Sequence, residues 1–316
     1  MMRTRLQALV LAGAIVSGLL ATAAARVAPK AAAQARAVTI AAAGDIACEQ
    51  LPNAQQGDEG GSNVCHMAAT AKLVSALRPD AVLTLGDEQY RVGELAQFMA
   101  SYDKTWGRFK RITRPTPGNH EYGTPAAGGY YAYFGPAAGD PSEGYYSYDL
   151  GNWHLIALNA NCGAVGGCQA GSPEETWLQR DLRAAHRACV LAYWHQPRFS
   201  SGLHHSDAAY EDFWNDLYRA HADVVLNGHD HDYERFAPQT PGGQSDPAHG
   251  IVEIVAGTGG RSHYPFRQTE PNSVVRNNTT YGVLVMHLHS SSFDWRFVPE
   301  PGSTFSDRGS RACSAK

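Results

Sequence analysis

Five short segments of this 316-residue chain each end in a side chain that can bind a metal ion. No other feature narrows the possible folds as far. Residues 38–43 lead into Gly44-Asp45, 81–85 into Gly86-Asp87, 114–117 into Gly118-Asn119-His120, 190–194 into His195, and 224–227 into Gly228-His229-Asp230-His231. Four of the five are continuous apolar runs, which read as strands buried on both faces. Helical periodicity between several runs points to parallel strands in βαβ units. In open α/β sheets, ligands bind beyond the carboxyl ends of the strands. If these strands are neighbours, Asp45, Asp87, Asn119, His195, His229 and His231 share one crevice. His229 and His231 are two residues apart, which turns both side chains the same way in extended backbone. The preceding glycines allow sharp turns at the strand ends. Singly, an aspartate after glycine usually caps a turn, and a lone histidine is an ordinary packed residue. The joint pattern outweighs those readings. Its mixture of carboxylate, imidazole and amide oxygen suits borderline divalent and trivalent metals better than calcium or copper(I).

The rest of the chain fits the same architecture. Further strands are expected at 155–158 and 251–255, and helices at 66–77, 94–109, 173–187 and 207–221. Ser172 is placed to cap the third helix and Pro173 to open it. Residues 145–150 and 153–158 read as adjacent strands around a Gly-Asn turn, and 283–289 with 293–298 as a hairpin. Segments 123–144 and 238–250, rich in Gly, Pro and Ala, read as long loops. With 43% hydrophobic and 18% charged residues, disorder is excluded. No repeat or long linker divides the chain. The expectation is one α/β domain over residues 36–316, built from two packed mixed β-sheets flanked by helices.

The N-terminus reads as a secretory signal peptide. Arg3 and Arg5 precede an apolar stretch over 6–20, and small-residue cleavage positions follow Ala25 and Ala35. The stretch is short and diluted with Ala and Gly, so no stable membrane anchor is expected. Export would make the remaining chain more negative than its formal −4, since the leader holds Arg and Lys but no acids. The basic residues are scattered singly, and no nucleic-acid partner is expected. Six cysteines in an exported chain suggest disulfides. Cys48 and Cys65 bracket a polar loop, and Cys162 and Cys168 bracket a short glycine-rich one. Cys189 and Cys313 pair by elimination.

The order Gly-Asp, Gly-Asp-x-x-Tyr, Gly-Asn-His-Glu, strand-end His and Gly-His-x-His resembles the calcineurin-like metallophosphoesterase superfamily. Gly86-Asp87-Glu88-Gln89-Tyr90 and the run from Gly228 to Arg235 look like its purple acid phosphatase branch, as does the pair His204-His205 nine and ten residues after His195. The resemblance spans residues 38 to 260. It implies a β-sandwich of the metallophosphoesterase type and two metal ions. One ion would be held by Asp45, Asp87, Tyr90 and His231, and the other by Asp87, Asn119, His195 and His229, with Asp87 bridging. His120, His204 and His205 would face the substrate. The large N-terminal accessory domain of plant-type members has no room here, and the loop from 47 to 61 is unlike that of the best-known members.

The implied activity is a secreted phosphatase that hydrolyses phosphomonoesters by in-line attack of metal-bound hydroxide. Two cations about 3.5–4 Å apart can acidify a water and clamp the displacement at phosphorus. Tyr90 as a phenolate would favour Fe(III), with Fe(II), Zn(II) or Mn(II) at the second position. The leaving group needs a proton, which His120 or His205 could give below about pH 6.5, and Arg198 could bind phosphate. Two rivals are a phosphodiesterase of the same superfamily and a non-catalytic metal- or phosphate-binding protein. No Gly-x-Ser-x-Gly or Gly-x-x-x-x-Gly-Lys run supports a serine hydrolase or a P-loop enzyme.

Overall fold

A computed structural model describes Met2, residues 36–49 and residues 65–314. The signal peptide reading, Met2 apart, and most of the 47–61 loop lie outside the described residues. The first sheet begins with β1 (Val38–Ala43), followed by helix α1 (Met67–Leu77) and β2 (Ala81–Leu85). The single helix expected over 94–109 is broken into α2 (Leu95–Ala100), α3 (Tyr102–Thr105) and a 3-10 turn over Trp106–Ile112, which leads to β3 (Thr113–Thr116). The first break has two local causes. The Ser101 hydroxyl turns to the carbonyl of Cys48 (2.7 Å), and Gln89 Oε1 accepts the Tyr102 N–H (3.1 Å).

The first expected loop also needs correction. Residues 123–144 contain α4 (Gly128–Phe134), whose aromatic face is buried. Tyr133 stacks on Phe98 at 4.9 Å, and Phe134 meets Phe98 and Tyr102 edge-on. Its glycines hide a helix that exists because of what it packs against.

The second sheet follows from the hairpin β4 (Tyr146–Leu150) and β5 (Trp153–Ala157). After a short α5 (Cys162–Val165) comes α6 (Pro173–Ala184), capped by Ser172, whose hydroxyl accepts the Glu175 N–H. It ends three residues before the expected Arg187. Then come β6 (Cys189–Tyr193), α7 (Glu211–Arg219), β7 (Val224–Asn227), β8 (Tyr233–Phe236), β9 (Val252–Ala256) and β10 (Ser273–Asn277). The chain returns to the first sheet through β11 (Gly282–Leu288), β12 (Ser292–Pro299) and β13 (Arg308–Ala312).

The first sheet runs β13-β12-β11-β1-β2-β3 and the second β10-β8-β9-β7-β6-β5-β4. Strands β1, β2 and β3 are parallel, as are β5, β6, β7 and β9, while the outer strands pair antiparallel. Alternation within the strands makes four layers. Ile40, Ala42, Leu83 and Leu85 meet Leu155, Leu191, Leu226 and Ile254 between the sheets. Ala41, Ala43 and Val82 face α1 and the aromatic helices, and Ile156, Val190 and Val225 face α6 and α7. Each fully buried large apolar side chain contributes about 1.5–3 kcal/mol. Among the described residues no helix is long and apolar enough to cross a membrane. The pairs Cys48–Cys65, Cys162–Cys168 and Cys189–Cys313 are all bonded, with Cα separations of 5.8, 5.1 and 5.6 Å.

One polar staple ties the edge hairpin to α6. His154 on β5 is buried, with Nδ1 2.9 Å from Asp149 Oδ1 on β4 and Nε2 2.8 Å from Asp181 Oδ2 on α6. Arg187 Nε also donates to Asp149 (2.8 Å) and Ser147 Oγ to Asp181 (2.7 Å). Two ionised carboxylate partners are both satisfied only when both ring nitrogens donate, which favours the imidazolium. Burial alone would lower its pKa, but the hydrogen bonds to Asp181 and Asp149 prevail and raise it. A raised folded pKa gives stability that is complete below the unfolded value near 6.5 and is lost as pH rises through the folded value. His154→Gln should therefore cost about 1–2 kcal/mol at pH 5, the exposed Asp149 being partly screened. The gap from wild type should narrow at alkaline pH in denaturant unfolding. An equal loss at both pH values contradicts the protonated bridge.

Candidate metal centre

The parallel strands β1, β2, β6 and β7 end at one edge of the sandwich, and the chain turns there bring both sheets together. Gly44 N donates to Ala256 O across the two sheets (2.9 Å), while Gly228 N donates to His195 O within the second sheet (2.9 Å). Gly86 has φ +83°, and a Cβ on it would lie 2.5 Å from His195 Nδ1. Only glycine permits the ends of β2 and β6 to approach this closely. Asp45, Asp87 and His229 themselves have φ values of 60, 49 and 71°, in the left-handed region. Such backbone costs about 1–3 kcal/mol per residue and persists where the surroundings over-determine it.

Two groups of donor atoms result. In the first, Tyr90 Oη donates to Asp45 Oδ1 (2.8 Å) and lies 2.9 Å from His231 Nε2, which is 3.2 Å from the same Asp45 oxygen. In the second, His195 Nε2 lies 3.3 Å from Asp87 Oδ2 and 3.3 Å from His229 Nδ1. Ligand atoms of Asp45, Asp87 and His195 all fall within 4.8 Å of one another, which joins the groups. All of these side chains except His229 are almost completely buried.

The remaining ring nitrogens are committed elsewhere. His195 Nδ1 donates to Leu85 O (2.8 Å) and His231 Nδ1 to Ser262 O (2.5 Å), so once the ring is neutral each Nε2 can offer its lone pair to the centre. This is how metal-ligating histidines are oriented. Asp45 Oδ2 accepts the His229 N–H (2.9 Å), and Asp87 Oδ1 accepts the His120 N–H (2.9 Å).

The electrostatics favour a cation. Burial would raise Asp87, but His195 and His120 beside it hold it well below the usual carboxylate range. Burial would lower His195, but Asp87 lifts it to about 9. His229 is pushed down to about 3 by burial and by His195 and His204, leaving it neutral and able to coordinate. Burial, then Asp45 and Asp87, push the Tyr90 phenol far above 10, so only a bound cation could make it a phenolate. The donor set fits two hard or borderline metal ions.

The other expected residues are placed less uniformly. Asn119 is exposed on the turn after β3, directly after Gly118. Asn161 Nδ2, from the loop after β5, donates to Pro117 O (3.4 Å) and Gly118 O (3.3 Å) beneath that turn. His120 is partly exposed, with Nε2 3.7 Å from Asp87 Oδ2 and its ring 4.3 Å from that of Tyr90. His204 lies over His229, rings 4.2 Å apart, with Nδ1 on buried Asp230 (3.1 Å). His205 is exposed in left-handed backbone, and among the described residues no contact ties it to the centre. The Arg198 guanidinium is not among the converging groups: it meets Glu211 (3.4 Å) and Pro241 O (3.5 Å) and stacks on Phe199.

Two residues at the centre escape a reading for ligand types. Glu121, the last residue of Gly-Asn-His-Glu, is buried and accepts the N–H groups of Asp87 (3.0 Å), Gln89 (3.1 Å) and Gly118 (2.8 Å). Burial and then Asp87 raise its pKa to about 7. Its place in the motif was the available signal. Tyr264 stacks on His231 at 3.9 Å, and nothing in its sequence neighbourhood marks it.

A family model described as calcineurin-like phosphoesterase matches residues 38–233. The chain belongs to this family. Within it, the chain is 29% identical over 219 residues to purple acid phosphatase 15 of Arabidopsis thaliana, covering 58% of this chain and 40% of that protein. It is 30% identical over 209 residues to purple acid phosphatase 21 of the same plant, covering 57% and 46%. The chain thus spans less than half the length of these relatives. A nucleotide pyrophosphatase/phosphodiesterase of Hordeum vulgare is 26% identical over 253 residues, covering 67% of this chain and 66% of that one. A purple acid phosphatase from yellow lupin (Lupinus luteus) seeds shares the fold, with a TM-score of 0.73 at 16% identity, over 89% of this chain and 55% of its own.

The centre of this phosphoesterase-family domain has a sharp steric test. A Cβ on Gly118 would lie 2.1 Å from Asp87 Oδ1 and 2.3 Å from Asp87 N. Backbone cannot yield as a flexible side chain can, so Gly118→Ala should expel the Asp87 carboxylate from its place. Metal analysis should find the variant folded but depleted of metal. Full wild-type metal content would contradict the packing described.

Proposed function

We propose that the protein is an exported phosphatase whose centre holds two metal ions and hydrolyses phosphomonoesters. The observation that carries this reading is the convergence of Asp45 Oδ1, Tyr90 Oη and His231 Nε2 within 2.8–3.2 Å, beside Asp87, His195 and His229. Asp45, Asp87, Tyr90 and His231 hold the first ion, and Asp87, Asn119, His195 and His229 the second. The phenol makes Fe(III) the preferred occupant of the first position, with Fe(II), Zn(II) or Mn(II) in the second. When bound, the pair supplies an acidified water and a positive clamp for the phosphoryl group.

The chain's own groups complete the chemistry. His120 Nδ1 donates to Arg91 O (2.5 Å), which directs Nε2 toward the centre. As an imidazolium it can protonate the departing alkoxide, and it is better placed for this than His205. His204, fixed on Asp230, walls the other side and can bind a phosphoryl oxygen. The six bonded cysteines support an oxidising, extracytoplasmic location. A diesterase reading draws support from the two-thirds overlap with the barley relative. Turnover of a panel of phosphomonoesters and phosphodiesters by metal-quantified protein separates the two, and faster cleavage of the diesters would reverse the preference.

Two further outcomes are expected. His120→Ala should keep both metals yet lose about 10²–10⁴-fold in turnover of alkyl phosphates, and less for aryl phosphates whose leaving groups need no proton. Equal losses on both would assign His120 to binding rather than proton donation. Concentrated iron-loaded protein should be pink to violet from phenolate-to-iron charge transfer, and Tyr90→Phe should bleach it while leaving the fold intact. A colourless, active wild type holding only divalent metal would overturn the iron assignment.

A further inference from the structure

The guanidinium of Arg261 lies over the ring face of Tyr90, with its central carbon 5.2 Å from the ring centroid. Tyr90 also meets Asp45 and His231 through its hydroxyl and His120 through its ring, so Arg261 supplies a permanent cation at the π face. The side chain is half-buried, and Nη1 reaches Cys48 Sγ of the Cys48–Cys65 disulfide (3.5 Å). Among the described residues no carboxylate forms an ion pair with it. The backbone is held independently of the side chain. Arg261 N donates to Asp45 O (2.8 Å), and residue 261 forms an antiparallel bridge with Cys65. The disulfide and the Asp45 turn together fix where the guanidinium stands.

We propose that Arg261 is a positioning residue that tunes the electronic character of the Tyr90 donor through its ring face. This rests on the reading of Tyr90 as a phenolate ligand of Fe(III). A cation over an aromatic face is attracted by the electron-rich π system, and the attraction grows when the ring becomes a phenolate. The guanidinium therefore lowers the energy of the phenolate electrons. Two consequences follow. Charge transfer from phenolate to iron takes more energy, so the visible band stands at shorter wavelength than it would without Arg261. The added positive charge also favours Fe(II) over Fe(III) when the iron takes up one electron, which raises the reduction potential. Groups beyond the direct ligands are known levers on metal potential.

The test compares iron-loaded wild type with Arg261→Gln and Arg261→Lys at equal iron content. Arg261→Gln should move the band to longer wavelength and lower the Fe(III)/Fe(II) midpoint potential. Arg261→Lys, which keeps the charge, should move both readings back toward wild type. A purely structural role would lower iron content or intensity in both variants without this ordered shift. If Arg261→Gln fails to hold iron, the lysine variant still decides, because a wild-type-like band and potential support the assignment and a displaced band at full iron content contradicts it. A coloured wild type whose band and potential are unmoved in Arg261→Gln overturns the Arg261 assignment alone. A wild type with no tyrosine-dependent band overturns the Tyr90–iron reading beneath it.

Discussion

The centre depends on the placement of one carboxylate, Asp87. It sits at the end of β2 in left-handed backbone, where its side chain accepts from the His120 N–H and faces His195. Its own N–H is taken by Glu121, which also holds Gly118 and Gln89, so the turns after β2 and β3 are locked together by one buried acid. Gly118 packs directly against the Asp87 carboxylate, and Gly86 packs against His195. The sandwich brings the ends of β2 and β6 together, and Asp87 stands between the two groups of donor atoms.

Burying so many ionisable groups is costly, and the structure offsets the cost in two ways. Away from the centre, charges are paired directly: Asp307 accepts from Tyr233, Arg235 and Trp295 and so ties β8, β12 and the tail together. At the centre, the carboxylates and imidazoles share protons that a cation would displace, and uncompensated buried charge of this kind is strongly unfavourable. The same carboxylates and imidazoles are the groups that could hold a metal ion. Metal affinity and folding are then linked, since the ligands must be deprotonated to bind.

Much of this was legible in the chain. Strands β1, β2, β6 and β7 were readable because both faces are buried, which demands unbroken apolar runs. Their ends, glycine-flanked after β1, β2 and β7, carried the ligand types that the fold collects. What escaped depends on partners distant in sequence. Helix α4 opens Gly128-Gly129 and forms because Phe98 and Tyr102 supply its packing surface. Strands β8, β10 and β13 are short, and β10 and β13 alternate in exposure, so no apolar run announces them. Glu121 acts on backbone N–H groups, and Arg261 acts through a ring face. Neither role has a spacing that a one-dimensional pattern can show.

Crystals of the metal-loaded protein measured at the iron and zinc absorption edges would test the central claim most directly. Two anomalous peaks should flank the Asp87 carboxylate, an iron peak within bonding distance of Tyr90 Oη and a second between His195 and His229. A single ion, or two ions with Tyr90 outside the coordination shell of either, would contradict it.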